Sequence, residues 1–402
     1  RKIRFNDGWN QIMKQFLSAV RRIALLPTLS FIFAFFIGGI IIVISDPIIM
    51  AQLSSPGKFL TSAASRIGNS YLAIFQGSIY DVNLARESGV IRGFYPLSET
   101  IVTSIPLVFA GLAVALAFRS GLFNIGAQGQ FIFGAIGASY VGFNFDFPPL
   151  IHVPLVLIAG IIFGGLFGGI VGLLKAKTGA HEVIVTIMLN YVAALFILWL
   201  LKTSIFLRPE RFDPIAPDVN PSARLPKLLG ADLRLHIGIF IALAITYFVW
   251  WLLNRSTLGF KFRAVGANAN AAKTAGISVP LVTTVTMFIC GGIAGLGGAV
   301  HLIGTEYALT AGVAGSIGFD AITVALLGQA TPLGTLFGAF LFGALQTGGR
   351  TLLSNTGTSS EIIQVIQALI VLFIAAPALL KKIFRLKKGV DSKSMAAKGW
   401  NG

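Results

Sequence analysis

Long uncharged apolar runs alternate with short polar or basic segments along most of the chain. Apolar runs of about 20 residues are long enough to cross a bilayer as helices. They lack the period-2 alternation of membrane β-strands. The pattern therefore predicts an all-α polytopic membrane protein with about ten transmembrane helices, at residues 28–45, 100–118, 128–145, 151–174, 182–201, 236–253, 280–303, 318–329, 333–349 and 361–380. The run at 318–329 is shorter than a full span, which predicts a half-helix or a tilted segment.

A polar stretch at residues 121–130, GLFNIGAQGQ, lies where the run 100–118 ends and the run 128–145 begins. Its three glycines, one asparagine and two glutamines make a poor continuous helix. Freed backbone groups and amide side chains are tolerated in hydrocarbon only against protein or a water-filled cavity. The stretch therefore predicts a broken helix that faces the inside of the bundle, where a transport path would lie.

The connecting segments predict the domain organisation, with residues 28–380 forming a single transmembrane domain. A basic segment at 1–27 and a basic tail at 381–402 flank this domain, and both are expected in the cytoplasm. Residues 46–100 are mixed in character and expected mainly outside, with a short interfacial helix at 71–79. The five prolines of 202–235 indicate an exposed extracellular loop. The basic, Ala-rich segment 254–278 is helix-capable but too polar to cross.

Composition and charge support a membrane protein and its orientation. Of 402 residues, 55% are hydrophobic and 11% charged, whereas a soluble domain carries about a quarter charged residues. The loops assigned to the cytoplasm hold 20 Lys and Arg with 3 acidic residues, and the external loops hold 11 and 12. This asymmetry follows the positive-inside rule and places both termini in the cytoplasm. The net charge of +16 therefore belongs to membrane topology, and nucleic-acid binding is not predicted.

No enzymatic constellation is apparent in the sequence. The chain contains no Gly-Lys-Ser or Gly-Lys-Thr of a Walker A motif, so it is not expected to hydrolyse a nucleotide by itself. Neither a metal site nor a bound cofactor is predicted, because histidines, cysteine and carboxylates lack ligand spacing. No catalytic residue is assigned. If the protein pumps a solute, the energy comes from a partner or an ion gradient.

The segment 254–278 carries the pattern T-L-G-x-x-x-R-A-V-G-x-N-x-x-A-A-x-x-A-G-I. A short helix bounded by glycines, with small residues on one face, would dock in a groove of a soluble partner. The alternative is a surface helix whose basic side chains snorkel at the headgroups. The pattern resembles the cytoplasmic coupling loop of permeases in ATP-binding-cassette (ABC) importers, within the ribose and branched-chain amino acid permease group.

Two further motifs narrow this resemblance. GLFNIGAQGQ at 121–130 and EVIVTIMLNY at 182–191 resemble the branch of the group assigned to nucleoside uptake, formerly described as simple-sugar permeases. The resemblance covers roughly residues 95–380. It implies a type II importer permease fold and a nucleoside-translocating subunit of the bacterial cytoplasmic membrane, with purine nucleosides favoured. A sugar or branched-chain amino acid permease of the same group stays open as an alternative.

The resemblance also implies partners. They are cytoplasmic ATPase subunits that bind ATP and magnesium, a second permease subunit of the same or a related sequence, and an extracellular lipoprotein that delivers the substrate. Contact with the ATPase is implied for one set of residues: Leu258, Gly259, Arg263, Gly266, Asn268, Ala271, Ala272 and Gly276. An ion-coupled secondary transporter is less favoured, because no isolated carboxylate lies in the middle of a span.

Polar and aromatic residues inside the apolar runs are the candidates for the path: Phe123, Asn124, Gln128, Gln130 and Asn190. Amides bond to sugar hydroxyls and purine edges without the cost of a buried charge. They also make helix–helix hydrogen bonds, and for Asn190 both interpretations stay open. Three acidic residues are candidates for gating or partner contacts: Glu182, which could pair with a cytoplasmic lysine, and Glu306 and Asp320, which would contact the binding protein or solvent.

Overall fold

The computed structural model describes residues 28–208, 213–230, 233–359 and 361–376. The predicted basic segments at 1–27 and 381–402 lie outside these ranges. Within them the regular structure is helical, without a β-strand. The helices are α1 (Thr28–Ile44), α2 (Pro47–Met50), α3 (Pro56–Ser78), α4 (Val82–Ser88), α5 (Tyr95–Arg119), α6 (Ala127–Asn144), α7 (Pro149–Thr178), α8 (Glu182–Leu200), α9 (Gly238–Arg255), α10 (Thr257–Ala267), α11 (Ala269–Thr274), α12 (Val279–His301), α13 (Ile317–Leu327), α14 (Pro332–Thr356) and α15 (Glu361–Ala375).

The prediction of an all-α membrane protein is confirmed. Five helical segments of the described chain are long and apolar enough to cross a membrane: Arg92–Arg119, Pro149–Thr178, Glu182–Leu200, Gly238–Arg255 and Val279–Glu306. Helices α1, α13 and α15 are apolar but shorter. The number of ten crossings stays a prediction, because the other helices fall below this length or hydropathy.

The contacts divide the chain into two compact units, whereas the sequence predicts one domain over 28–380. One unit contains the described parts of Arg1–Ala73 and Gly349–Asn401, and the other contains Ile74–Gly348. The divisions fall within α3 and α14. In the first unit, the Phe33 and Phe373 rings lie 5.0 Å apart between centroids.

Helix α3 extends well beyond the short helix predicted at 71–79, since it covers 23 residues. Its apolar positions are spaced at helical intervals and separated by polar ones. Phe59, Ala63 and Ile67 pack in a cluster with Val43 and Ile49 of the same unit. An amphipathic helix of this kind has a low average hydropathy, so the apolar runs alone do not reveal it.

The second unit is built around α5. In the segment Arg92–Arg119, 83% of the most apolar stretch of 18 residues is buried by the rest of the protein. The corresponding share is 39% for α7, 22% for α8 and 33% for α9, although these helices are also strongly apolar. A helix that is apolar on all sides but only partly covered by protein has faces suited to lipid.

Glycines allow α6, α7 and α12 to pack backbone against backbone. A Cβ on Gly134 of α6 would lie 2.2 Å from the Cα of Gly295 on α12. A Cβ on Gly164 of α7 would lie 2.5 Å from the carbonyl oxygen of Gly291 on α12. Any side chain at these positions would displace a neighbouring helix, and such close approach is the usual role of small residues in membrane bundles.

Candidate functional site

The polar stretch 121–130 separates α5 from α6, with residues 120–126 outside both helices. Helix α5 ends in a Schellman motif: the Gly121 N–H donates to the Phe118 carbonyl at 3.2 Å, and the Leu122 N–H donates to the Ala117 carbonyl at 2.9 Å. Gly121 has a φ of +71°, which glycine adopts without steric cost. We call residues 120–126 the helix break.

Asn124 of the break and Gln130 in the first turn of α6 form a hydrogen-bonded pair. The Asn124 Nδ2 donates to the Gln130 Oε1 at 3.0 Å, and the Gln130 Nε2 donates to the Asn124 Oδ1 at 3.1 Å. The same Oδ1 accepts the Gly126 N–H at 3.0 Å. Both side chains are fully buried. Their amides therefore satisfy one another and one backbone donor that the break leaves outside the helices.

Asn190 joins the break to α8. Its Oδ1 accepts the Gly129 N–H at 2.9 Å, and its Nδ2 donates to the Ile125 carbonyl at 3.0 Å. Both groups belong to the end of the break or the first turn of α6, where backbone donors and acceptors lack helical partners. Asn190 therefore makes helix–helix hydrogen bonds in this structure, and its contact with substrate stays a prediction.

Gln128 joins α6 to the start of α13. Its Nε2 donates to the Gly315 carbonyl at 2.7 Å, and its Oε1 accepts the Gly318 N–H at 2.7 Å. The four candidate amides thus lie around one break, and every one of them bonds to protein. Phe123 differs from them, because its side chain is 36% exposed and its ring lies 4.9 Å from that of Phe118. Substrate contact by these residues stays a prediction.

The three candidate carboxylates occupy different places. Glu182 begins α8 and forms a salt bridge with Lys175 near the end of α7. Glu306 lies 3.5 Å from the His301 Nε2 and is partly exposed. Asp320 of α13 accepts hydrogen bonds from the Ser316 Oγ at 2.7 Å and the Gln346 Nε2 at 3.0 Å. The structure therefore does not bring the three together into one site.

The segment 254–278 forms two short helices rather than one. Ser256 caps α10, its Oγ accepting the Gly259 N–H at 2.9 Å. Asn268 caps α11, its Oδ1 accepting the Ala271 N–H at 3.0 Å. Asn268, at the centre of the motif, therefore has a structural role, since its side chain caps the start of a second helix. We call α10 and α11 the coupling segment.

The motif residues of the coupling segment divide into a packed and an exposed set. Gly259 is buried against α9, where a Cβ would lie 1.8 Å from the Leu252 carbonyl oxygen, and Ala272 is also buried. The exposed set is Leu258, Arg263, Asn268, Ala271 and Gly276. Sequence reasoning missed Phe260, an aromatic side chain that is 60% exposed on α10. Phe260 lies between the motif glycines Gly259 and Gly266, in a segment too polar to enter lipid. This position is the sequence signal that could have marked it as a candidate contact residue.

The coupling segment touches the helix break through two glycines. A Cβ on Gly121 would lie 2.8 Å from the Gly266 Cα, and a Cβ on Gly266 would lie 2.6 Å from the Arg119 carbonyl oxygen. Gly266 is a predicted coupling residue, and Gly121 opens the stretch of predicted path residues. The fold thus places the two sequence motifs in direct backbone contact, which their separation in the chain does not reveal.

Comparison with known proteins shows the family of the chain. The protein-family profile described as "Branched-chain amino acid transport system / permease component" matches residues 97–375. The guanosine ABC transporter permease protein NupP of Bacillus subtilis (strain 168) is 40% identical over 303 residues, which are 75% of this chain and 87% of the relative.

Two further relatives extend this picture. The nucleoside ABC transporter permease protein NupB of Lactococcus lactis subsp. cremoris (strain MG1363) is 35% identical, over 75% of this chain and 85% of the relative. The glucose ABC transporter permease protein TsgB13 of Haloferax volcanii is 32% identical, over 72% of this chain and 78% of the relative. No solved structure matches the chain. With the profile covering most of the sequence and both motifs inside it, this chain belongs to the branched-chain amino acid transport system permease component family of multi-pass membrane proteins.

Proposed function

We propose that the chain is the translocating subunit of an ABC importer for nucleosides, with purine nucleosides favoured. The relatives named for guanosine and nucleoside transport, at 40% and 35% identity over most of their lengths, support this substrate class. The sequence motifs at 121–130 and 182–191 point to the same class, and the structure joins these motifs through Asn190.

The observation that carries the mechanism is the contact between Gly121 and Gly266. Helix α10 lies against the end of α5 with no side chain between the two backbones. A displacement of α10 therefore acts directly on the helix break, because no flexible side chain can absorb it. In this proposal, the ATPase moves the coupling segment, and the coupling segment changes the conformation of the break.

The amides of the break have a double role in this proposal. In the described conformation, Asn124 and Gln130 bond to each other, and Asn190 bonds to the backbone of Ile125 and Gly129. When the break changes conformation, the same donors and acceptors become free to bind ribose hydroxyls or a base edge. Phe123, the exposed aromatic residue beside them, offers a face on which a base can stack.

The coupling segment is the proposed docking surface for the ATPase. Leu258 and Phe260 are large, exposed apolar residues on a polar, basic segment, which is typical of anchor residues at an interface. ATP and magnesium would be bound by that partner, because this chain has no Walker A sequence. Arg263 would add an electrostatic contact with an acidic partner surface.

The family supports the remaining proposed partners, and the charge distribution supports the proposed orientation. A second permease subunit and a substrate-delivering lipoprotein complete the proposed importer in the bacterial cytoplasmic membrane. The basic coupling segment and both termini are placed in the cytoplasm by the positive-inside rule. Residues 202–235, Glu306 and Asp320 are then assigned to the external side, where the lipoprotein would bind.

Sugar import is the second candidate, because the glucose permease relative is 32% identical over 72% of this chain. The two candidates differ in what the site must recognise. A nucleoside presents a planar base in addition to ribose hydroxyls, so it would gain from an aromatic face such as that of Phe123. A sugar without a base would rely on the amides alone.

Uptake by the assembled importer tests the proposal. The chain would be reconstituted in proteoliposomes with candidate ATPase, second permease and lipoprotein subunits, and uptake of labelled guanosine, uridine, glucose and leucine would be measured with and without ATP. We expect ATP-dependent uptake of guanosine in preference to glucose and leucine. Preferred uptake of glucose would replace the nucleoside assignment, and equal uptake without ATP would contradict the importer mechanism.

A further inference from the structure

A cavity of about 300 Å³ lies at the end of α5, away from the amides of the break. Arg119 of α5 and Arg263 of α10 line it, together with Trp250 and Leu253 of α9 and the first residues of α14. All of the residues that line the cavity belong to the compact unit Ile74–Gly348. Its volume is at the lower end of the range of small-molecule sites.

The two arginines lack a carboxylate partner in the described part of the chain, and no acidic residue lines the cavity. The Arg119 Nε donates to the Ala330 carbonyl at 2.9 Å, and the Arg263 Nη1 donates to the Leu253 carbonyl. Each guanidinium carries five N–H donors, so most of its donors are not used by these bonds. Two like charges beside one cavity also repel each other, which an anion between them would relieve.

The start of α14 adds positive potential to the same cavity. Thr331, Pro332 and Leu333 form part of its wall. Pro332 and Leu333 begin a helix of 25 residues, and Thr331 directly precedes it, its Oγ1 accepting the Gly334 N–H at 3.2 Å. The N-terminal end of a helix favours negative charge, and anions are commonly bound there. The arginines and the helix end therefore favour the same kind of ligand from different elements.

Apart from Asn254 and Thr331, the rest of the wall is apolar. Trp250 lies in an aromatic pair with Tyr247, with ring centroids 5.7 Å apart, and such residues are enriched where a membrane meets water. Leu333 is 58% exposed at the start of α14. A basic pocket between helices with an apolar rim at the membrane boundary is the arrangement that recognises lipid headgroups.

We propose that this cavity is a phosphate-binding site in which Arg119 and Arg263 hold the phosphate of an anionic membrane lipid or of a free phosphate ion. Guanidinium groups match the geometry of phosphate oxygens and form charge-assisted hydrogen bonds with them. The site is independent of what the chain transports. Because Arg263 belongs to the coupling segment, the occupant would contact both α5 and α10 beside the break.

Lipid retention by the purified full chain tests the site. The chain would be delipidated in neutral detergent, offered phosphatidylglycerol or a diacylglycerol with the same acyl chains, and examined by native mass spectrometry. The wild-type chain is expected to retain phosphatidylglycerol about tenfold better than the diacylglycerol, and Arg119→Gln or Arg263→Gln should each remove most of that preference. Arg255→Gln is the matched control, because Arg255 is exposed at the end of α9 and does not line the cavity.

A second arm distinguishes the two sources of phosphate. Inorganic phosphate at millimolar concentration would be added to the lipid-free chain, and the midpoint of thermal unfolding would be measured. A rise in the wild type that Arg119→Gln abolishes identifies free phosphate as an occupant. Retention of phosphatidylglycerol without such a rise identifies the lipid headgroup.

Leu333→Glu keeps both arginines and places a carboxylate at an exposed position of the wall. It should abolish binding without loss of folding, which circular dichroism would check. The proposal is overturned if the wild type shows neither lipid preference nor a phosphate effect. It is also overturned if Arg255→Gln lowers retention as much as Arg119→Gln, because the binding would then reflect general surface charge.

Discussion

The Nδ1 of His236 accepts the backbone N–H of Gly238 at 3.1 Å, which fixes the ring proton on Nε2. The ring is buried just before α9, where a Cβ on Gly238 or Gly304 would lie 2.5 Å from its Cε1 atom. The Nε2 lies 3.4 Å from the Thr305 Oγ1. A neutral imidazole therefore links the start of α9 to the segment Leu302–Glu306 that follows α12.

This environment predicts acid sensitivity. Burial and, to a smaller extent, the charge of Arg234 lower the pKa of His236 to about 4, whereas an unfolded histidine has a pKa of about 6.5. Below about pH 6.5 the unfolded chain takes up a proton that the folded chain does not, so the free energy of unfolding falls as the pH drops from 6.5 towards 4. We expect His236→Gln to show a weaker fall of the thermal midpoint across this window. Parallel profiles for both proteins would contradict the prediction.

Substitution of Gly266 tests the contact between the coupling segment and the break. In Gly266→Val the side chain would meet the Arg119 carbonyl oxygen, so α10 must move away from α5. We expect ATP-driven uptake to fall by about tenfold, which is a typical size for the coupling between two sites. The protein should still reach the membrane. Gly312→Ala is the control, because nothing lies within 4 Å of its new Cβ. Normal uptake by Gly266→Val would show that the contact does not transmit the movement.

Loss of the Asn190 amide should destabilise the protein. Asn190→Leu leaves the Gly129 N–H and the Ile125 carbonyl without their partner. We expect the free energy of unfolding to fall by about 1–3 kcal/mol, measured by thermal unfolding in detergent. Tyr191→Leu, at the exposed neighbouring position on α8, is the control and should leave stability nearly unchanged. If the two variants were equally stable, Asn190 would have no structural role.

Truncation of Phe260 tests the proposed ATPase surface. Phe260→Ala removes an exposed ring, so the fold should be unaffected. Binding of the ATPase subunits to the purified permease is expected to weaken by about tenfold, as for an anchor residue at an interface. Phe240→Ala changes an equally exposed ring on the apolar helix α9, which is suited to lipid, and should not alter ATPase binding. Unchanged ATPase affinity in Phe260→Ala would place the docking surface elsewhere.

The sequence alone predicts the positions of helices that consist of a continuous apolar run. Helices α7 and α8 and the ends of α5 and α6 around the break fall close to their predicted positions, since length and hydropathy define them and Gly121 marks the stop. Helix α3 was largely missed because its apolar residues are spaced among polar ones. The division of the coupling segment at Asn268 was also missed, although asparagine is a common cap.

The sequence does not reveal which groups the buried polar side chains form hydrogen bonds with. The sequence predicts a functional role for Asn124, Gln130 and Asn190 because amides are costly in an apolar setting, and that argument holds equally for a binding site and for a structural hydrogen bond. Only the arrangement of α6 and α8 shows that the Gly129 N–H faces Asn190. Similarly, the approach of Gly121 to Gly266 depends on the docking of α10 against α5, which no local pattern encodes.

The glycine contacts among α6, α7 and α12 have a consequence for how the protein can move. Where Gly134 meets Gly295 and Gly164 meets Gly291, main chain lies directly on main chain, without rotatable side chains that could slide past one another. We therefore expect these three helices to travel as one stiff block during a transport cycle. The pivot must then lie at the edge of the block, where α6 joins the irregular residues before it.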